Sequence, residues 1–464
     1  MRAALMGVLI LFYVLDGMAA QDASSALDDY INASDATTAR TFIAQGRMKG
    51  ISYMVWELTS QTWKGIAWKH QLIILKPKNT RHNGHALFVI AGGGWKEGEK
   101  FNNGKFAKKL KLCRAIANKM GTPVAIIKQI PFQPIFDGRR EDAAIAYTFD
   151  TFLETGDKTW PLLLPMTKAA VKGMDAVQEI AKETWGSDIK EFTVTGASKR
   201  GWTTWLVGAV DDRATAIVPM VIDMLNTDEQ MAYQKAVGGF SEKIKDYTDL
   251  DIPRRMIETE RGKELLTIAD PYEYRQRLCE KETTVMLGTN DPYWVVDSLN
   301  LYWDGLCGRK HVVYMPNQGH KSRDYGRVLK TLETVHRYGA TGKVLPSLSW
   351  KFTKRDEGLT LALVSDTPIR SVRLWRADAE STQAFHTARW RSRVVGASTS
   401  IRVPMPESGC RAVYAEVSYT DGRMTRHQHK QSGGILRGFT LTTQIAVLGP
   451  RDQCLSAEMN GTEK

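Results

Sequence analysis

Cysteine is scarce in this chain: Cys113, Cys279, Cys307, Cys410 and Cys454 are the only five among 464 residues. No Cys-x-x-Cys occurs, which removes zinc-ribbon and thioredoxin-like readings, and so few cannot form a disulfide scaffold. The odd number leaves at least one cysteine unpaired or bridging another chain. Cys279 and Cys307 bracket a strand and a helix and are plausible partners. Beyond residue 20 no stretch approaches 18 apolar residues, so the mature chain carries no transmembrane segment. Its polar C-terminus excludes a lipid-anchor tail. Internal repeats, zinc-finger spacing, RNA-binding signatures and helix-turn-helix patterns are absent, so nucleic acid is not an expected partner. Gly92-Gly93-Gly94 is followed by no Gly-Lys-Ser/Thr, and G-x-G-x-x-G fails at Glu97, which argues against a nucleotide site. The residues call for no metal and no cofactor.

What is present reads as an exported, multi-domain globular protein. At 464 residues two or three units are expected, and 43% hydrophobic with 25% charged residues is ordinary globular composition. Residues 1–20 read as a signal peptide: Arg2, the apolar run Ala3 to Leu15, then small residues ending Ala19-Ala20. An uncleaved anchor is the alternative. The expected location is secreted and extracellular, or periplasmic in a bacterium. Export gives meaning to two glycosylation sequons, at Asn32 and Asn460. Net charge is +12, and residues 345–464 hold 17 Lys and Arg against 11 Asp and Glu. The densest basic piece, Arg389-Trp390-Arg391-Ser392-Arg393, is either a solvated face or a patch for an anionic cell-surface partner or receptor.

Hydrophobic patterning divides the chain. Met54–Leu58 and Gln71–Leu75 alternate like antiparallel strands. Then come Ala86–Ala91, Pro123–Ile127, Glu191–Thr195, Ala216–Ile222, Thr284–Leu287 and His311–Met315, continuous apolar runs typical of parallel strands buried on both faces. Helical periodicity lies between them over Glu141–Glu154, Met166–Trp185 and Ser322–Tyr338. The expected fold is an α/β hydrolase over residues 21–344, a mostly parallel sheet with helices on both faces. Residues 225–275 form a helical insertion or cap. From Leu345 short alternating strands return, which predicts an immunoglobulin-like β-sandwich over 345–464 with a polar tail.

Chemistry gathers at strand ends. In Thr193-Val194-Thr195-Gly196-Ala197-Ser198-Lys199-Arg200-Gly201, a strand runs into a Gly-flanked Ser and a helix begins at once. That is the setting of a nucleophile elbow, although Arg200 replaces the usual second Gly and Gly201 comes one residue later. The pattern resembles the elbow of glucuronoyl esterases; a Ser that only caps a helix is the plainer reading. Asp291 follows the next apolar strand but one, and His320 the strand after that, in hydrolase order. Serine needs a base to take its proton, and an acid to fix the imidazole tautomer. Asp223 is the rival acid, with Asp297 and Asp324 weaker rivals. Backbone amides of Lys199 and of Gly93, Gly94 and Trp95 are the expected oxyanion donors.

The block Gly196-Ala197-Ser198-Lys199-Arg200-Gly201-Trp202-Thr203-Thr204-Trp205 resembles the PhoPQ-activated pathogenicity-related protein family. Arg139-Arg140-Glu141-Asp142, Gly288-Thr289-Asn290-Asp291 and Asn317-Gln318-Gly319-His320 agree with it. The family includes a secreted autocrine proliferation repressor of amoebae. The resemblance implies an α/β-hydrolase domain with Ser198, Asp291 and His320 as its triad, and leaves the substrate open. Two readings follow. One is a secreted serine hydrolase acting on an ester or peptide; Lys199 and Arg200 then either attract an acidic substrate such as a uronate ester or pair with carboxylates. The other is a secreted signalling or surface-binding protein in which catalysis is dispensable.

Overall fold

The computed structural model describes residues 25–48, 50–96, 111–420, 438–450 and 454–457. The expected leader at 1–20, the Asn460 sequon and the Cys113 side chain lie outside the described residues. Asn32, at the end of helix α1 (Ala26–Asn32), is exposed.

Three long strands open the sheet: β1 (Ala39–Met48), β2 (Ile51–Trp63) and β3 (Ile66–Pro77), paired antiparallel. The apolar runs then become β4 (His85–Ile90), β5 (Val124–Ile127), β6 (Glu191–Ala197), β7 (Ala214–Met220), β8 (Glu282–Gly288) and β9 (Arg309–Met315), all paired parallel in the order β5-β4-β6-β7-β8-β9. β3 joins them antiparallel through β5. Alternate residues enter different cores, as strand geometry requires. Phe88 of β4 packs with α3 (Glu141–Thr155), α4 (Leu163–Trp185) and α5 (Lys199–Val210). Leu87 packs against α2 (Lys111–Met120) on the other face, which β7 to β9 share with α10 (Tyr325–Ala340). Between β7 and β8 run α6 (Thr227–Val237), α7 (Lys245–Thr248), α8 (Ile252–Glu258) and α9 (Glu260–Ala269). This strand order and layering is an α/β-hydrolase fold.

Two expectations need correction. The sheet is mixed rather than mostly parallel, because antiparallel strands flank the parallel centre on both sides. The C-terminal strands are also not a separate sandwich. β12 (Ser371–Ala379), β13 (Arg391–Val394), β15 (Cys410–Thr420), β16 (Gly438–Thr442) and β17 (Ala446–Leu448) continue the main sheet. The join is Thr442 opposite Val312, where the Thr442 hydroxyl donates to the Val312 carbonyl at 3.0 Å and accepts from the Tyr314 amide at 3.2 Å. β10 (Leu348–Arg355), β11 (Gly358–Ser365) and β14 (Ser400–Pro404) form a second sheet that covers this extension. Leu361, Val372, Val413 and Val313 share one core, so apolar burial runs unbroken from hydrolase unit to C-terminal unit. Disulfides join Cys279 to Cys307, and Cys410 to Cys454.

Candidate active site

Ser198 sits between β6 and α5 with φ +59° and ψ −130°, a backbone region that non-glycine residues rarely adopt. Its amide donates to the Met220 carbonyl at 2.8 Å, and Trp202 N–H returns to the Ser198 carbonyl at 3.0 Å. The neighbouring glycines explain the motif. A Cβ on Gly196 would stand 2.4 Å from the Arg200 carbonyl oxygen. One on Gly201 would stand 2.7 Å from Ile222 Cγ2 and 2.9 Å from the Met220 carbonyl oxygen. The tight contact therefore falls at 201, and position 200 is free to carry arginine.

The three strand-end residues meet. His320 Nε2 lies 2.7 Å from Ser198 Oγ, and its Nδ1 lies 2.8 Å from Asp291 Oδ2. Asp291 Oδ1 accepts the Tyr293 amide at 3.1 Å, and the Tyr293 ring lies over the imidazole with centroids 4.2 Å apart. Gly288 lets the two loops approach, since a Cβ there would be 2.5 Å from the Gln318 carbonyl oxygen. The rival acids have other partners. Asp223 Oδ1 accepts from the Tyr302 hydroxyl at 2.8 Å, and burial pushes its carboxyl up to about 8. Asp297 receives the Tyr233 hydroxyl at 2.9 Å and the Ala457 amide at 2.9 Å. Asp324 caps α10 by accepting the Arg327 amide.

Lys199 and Arg200 face inward to carboxylates. Arg200 holds Glu141 with two bonds of 2.7 and 2.8 Å, and its Nε donates to the Ile130 carbonyl. Lys199 Nζ reaches Glu141 at 3.1 Å and Asp142 at 3.2 Å and is 8% exposed. Burial alone raises the Glu141 carboxyl, but the two cations prevail and hold it at about 2. Glu141 itself has φ +53°. Its amide donates to Gln133 Oε1 at 2.8 Å, and Gln133 Nε2 donates back to Glu141 Oε1 at 2.7 Å. The arginine that breaks the expected motif thus anchors the elbow to the loop after β5. A lysine and an arginine so committed offer no charge for an acidic substrate, which removes the uronate argument.

The expected oxyanion donors divide. Lys199 N–H opens α5 beside Ser198 and has no hydrogen bond among the described residues. The same holds for the Gly93 and Gly94 amides. Trp95 is different: its N–H donates to the Gln133 carbonyl at 2.8 Å, so this amide is already used.

Beside Ser198, Lys199 and His320 opens a cavity of about 80 Å³ with an apolar lining. Residues 27–386 match the family described as PhoPQ-activated pathogenicity-related protein. The chain belongs to that family. Autocrine proliferation repressor protein A of Dictyostelium discoideum is 32% identical over 448 residues, covering 88% of this chain and 89% of that one. Among solved structures, acetyl xylan esterase 1 from Thermoanaerobacterium sp. aligns at 15% identity with a TM-score of 0.46, covering 68% of this chain and 91% of its own. The glucuronoyl esterase from Solibacter usitatus aligns at 12% identity with a TM-score of 0.41, covering 67% of this chain and 91% of its own.

For this member of the PhoPQ-activated pathogenicity-related family, sequence reading passed over Gln133 and the anchoring role of Glu141. Glu141 stood in the sequence only as the first residue of a helical stretch and within the Arg139–Asp142 block of the family resemblance, and no local pattern pairs residue 133 with 141. Asn290 and Asn317 stood in the blocks that carry the family resemblance, but their role was not read. Asn290 Nδ2 donates to the Ala388 carbonyl at 2.7 Å; Asn317 accepts the Trp390 amide at 2.8 Å and donates to its carbonyl at 3.1 Å. The basic Arg389–Arg393 segment is thereby fastened behind the acid and histidine loops.

Proposed function

We propose that this protein is an exported serine hydrolase that cleaves an ester or peptide bond through an acyl-enzyme. The observation that carries this is the unbroken chain Ser198 Oγ, His320, Asp291 at 2.7 and 2.8 Å, at the mouth of a cavity. Ser198 Oγ attacks the carbonyl carbon while His320 Nε2 takes its proton. Asp291 keeps Nδ1 protonated and steadies the imidazolium. The amides of Lys199 and of Gly93 or Gly94 receive the developing oxyanion. His320 then protonates the leaving oxygen or nitrogen as its bond to carbon breaks. Water, deprotonated by the same imidazole, releases the acid and restores Ser198. Export rests on the N-terminal leader reading and on two disulfides, which persist in oxidising compartments. No described helix is long and apolar enough to cross a membrane.

The test is labelling with a fluorophosphonate probe. Wild type is expected to label, and Ser198→Ala and His320→Ala are expected not to. A folded wild type that does not label overturns the reading. One observation favours a second function beside it: the relative of 32% identity is named as an autocrine proliferation repressor. On that reading the protein is an extracellular signal whose effect on cells survives Ser198→Ala. Loss of the effect in a folded Ser198→Ala protein would make signalling depend on hydrolysis.

A further inference from the structure

The cavity beside Ser198 is built almost wholly from apolar side chains. Phe149, Trp202 and Ile222 line it, together with Ile252, Pro253 and Met256 of the helices after β7. Most of its polar groups are satisfied within the protein; the exception is the buried Trp294 Nε1, a neutral donor with no hydrogen-bond partner among the described residues. Asp142, on the rim, is paired with Lys199 Nζ at 3.2 Å and accepts from the Tyr247 hydroxyl at 3.2 Å. Thr227 donates its hydroxyl to the Met224 carbonyl at 2.9 Å. A charged ligand group there would lose its water and find no unpaired opposite charge, only one neutral indole N–H. An apolar group loses nothing and buries its surface.

Size narrows the class. An apolar cavity of about 150 Å³ holds a benzene-sized ligand. One of about 80 Å³ therefore takes a chain of roughly three to five carbons. Met224, Met231 and Met256 supply flexible walls that fit a branched or straight chain equally. The cavity is lined by Lys199 and Trp202 in the first turn of α5, and the Lys199 amide is the proposed oxyanion donor. Ser198 itself lines the cavity, so the cavity adjoins the atom that would carry the acyl group.

We infer that the hydrolase selects esters with a short, uncharged, apolar acyl group of about four to six carbons, carbonyl carbon included. This rests on the proposed nucleophile role of Ser198 and specifies what it attacks. Acetyl esters leave the cavity unfilled, long acyl chains overrun it, and uronoyl or free α-aminoacyl groups bring a charge it cannot pair.

The experiment compares p-nitrophenyl acetate, butyrate, hexanoate and dodecanoate with an unblocked aminoacyl p-nitroanilide, using full-length protein whose fluorophosphonate labelling is measured in parallel. Butyrate should exceed acetate in kcat/KM by about tenfold, from two more buried methylenes. Dodecanoate and the aminoacyl substrate should fall below butyrate. Met256→Trp, checked for folding by its melt, should bring the butyrate-to-acetate ratio near one by filling the cavity. Labelling with acetate equal to or better than butyrate, or with the aminoacyl substrate best, overturns the acyl preference and leaves Ser198 as nucleophile. An unchanged ratio in Met256→Trp overturns the assignment of the preference to this cavity. Absence of both labelling and turnover in folded protein overturns the two together.

Discussion

Strand β6 presents a hydroxyl to a histidine at two places. Inside the strand, the Thr193 hydroxyl lies 2.9 Å from His85 Nε2, and Glu191 lies 3.2 Å from His85 Nδ1. One residue past the strand, Ser198 meets His320 at 2.7 Å, with Asp291 at 2.8 Å behind it. Hydroxyl, imidazole and carboxylate occur in both. Thr193 is fully buried, and a second histidine shares its hydroxyl, His336 Nδ1 at 3.0 Å. Burial lowers the pKa of both His85 and His336 and favours their neutral forms. Ser198 is turned out of the strand by its positive φ, and a free helix amide follows it. The functional groups alone therefore do not make a site; a strand end, an unusual backbone angle and an adjoining cavity do.

The largest expected effect breaks the comparison directly. Ser198→Ala should abolish labelling, since the oxygen that forms the adduct is gone, and should lower turnover by about 10⁶-fold. Thr193→Val should leave labelling intact while lowering stability by about 1–3 kcal/mol, because two buried histidines lose a partner. Labelling rate and urea unfolding of each variant separate the two. If Thr193→Val abolished labelling while staying folded, the contrast would fail.

The carboxylates sharpen it next. Asp291→Asn should lower turnover by about 10⁴-fold, since the amide favours the wrong imidazole tautomer. Glu191→Gln and Asp223→Asn should change turnover by less than threefold on the order-of-magnitude scale of remote substitutions. A collapse of turnover in Asp223→Asn would move the acid role there.

Much of this was legible because strand ends announce themselves. An apolar run stopping at Gly-Ala-Ser, at Gly-Thr-Asn-Asp or before Asn-Gln-Gly-His sets a side chain above the sheet whatever the rest of the fold does. The helices followed from 3.6-residue periodicity. What was not legible depends on pairing over long distances. Both edges of the parallel centre are joined by antiparallel strands, β3 to β5 on one side and β16 to β9, at the single pair Thr442 and Val312, on the other, and no local pattern distinguishes an edge that joins from one that stays free. The Arg200–Glu141 anchor spans 59 residues, so carboxylate pairing stood as one alternative for Arg200 and its partner could not be named. Trp95 failed as a donor for the same reason: Gln133, which takes its amide, lies beyond α2 and β5 in the chain, a pairing that spacing does not reveal.

Another histidine–hydroxyl contact gives a smaller effect with a definite sign. His70 Nδ1 donates to the Lys128 carbonyl at 3.1 Å, and Nε2 accepts from the Ser60 hydroxyl at 3.0 Å. Burial pushes its pKa down to about 4, against an ordinary value of 6.5. Below pH about 6.5 the unfolded chain takes a proton that the folded one refuses, so stability falls as pH falls until the folded form also titrates near 4. Between pH 7 and pH 4.5 this amounts to about 2–3 kcal/mol. Asp223 runs the other way, because its raised pKa stabilises the fold as pH falls below about 8. The measurement is therefore a difference: His70→Gln, destabilised at pH 7, should recover about 2–3 kcal/mol relative to wild type by pH 4.5. A constant gap in urea unfolding would show that His70 does not titrate differently on folding.

The smallest effect tests whether the C-terminal unit belongs to the site at all. Asn317 holds the Trp390 amide at 2.8 Å and its carbonyl at 3.1 Å, three residues before His320; Asn290 holds Ala388 at 2.7 Å, one residue before Asp291. One segment thus fixes the loops that carry both the acid and the base. If their separation depends on it, Asn317→Ala should lower kcat by about tenfold with KM nearly unchanged, through the lost positioning of the imidazole. The accompanying loss of stability should be about 1–2 kcal/mol, the cost of leaving a buried amide unpaired. A fall in melting temperature with kcat unchanged would make the segment mere packing. A fall in kcat that outstrips the loss of stability would make the C-terminal extension of the sheet part of the catalytic support.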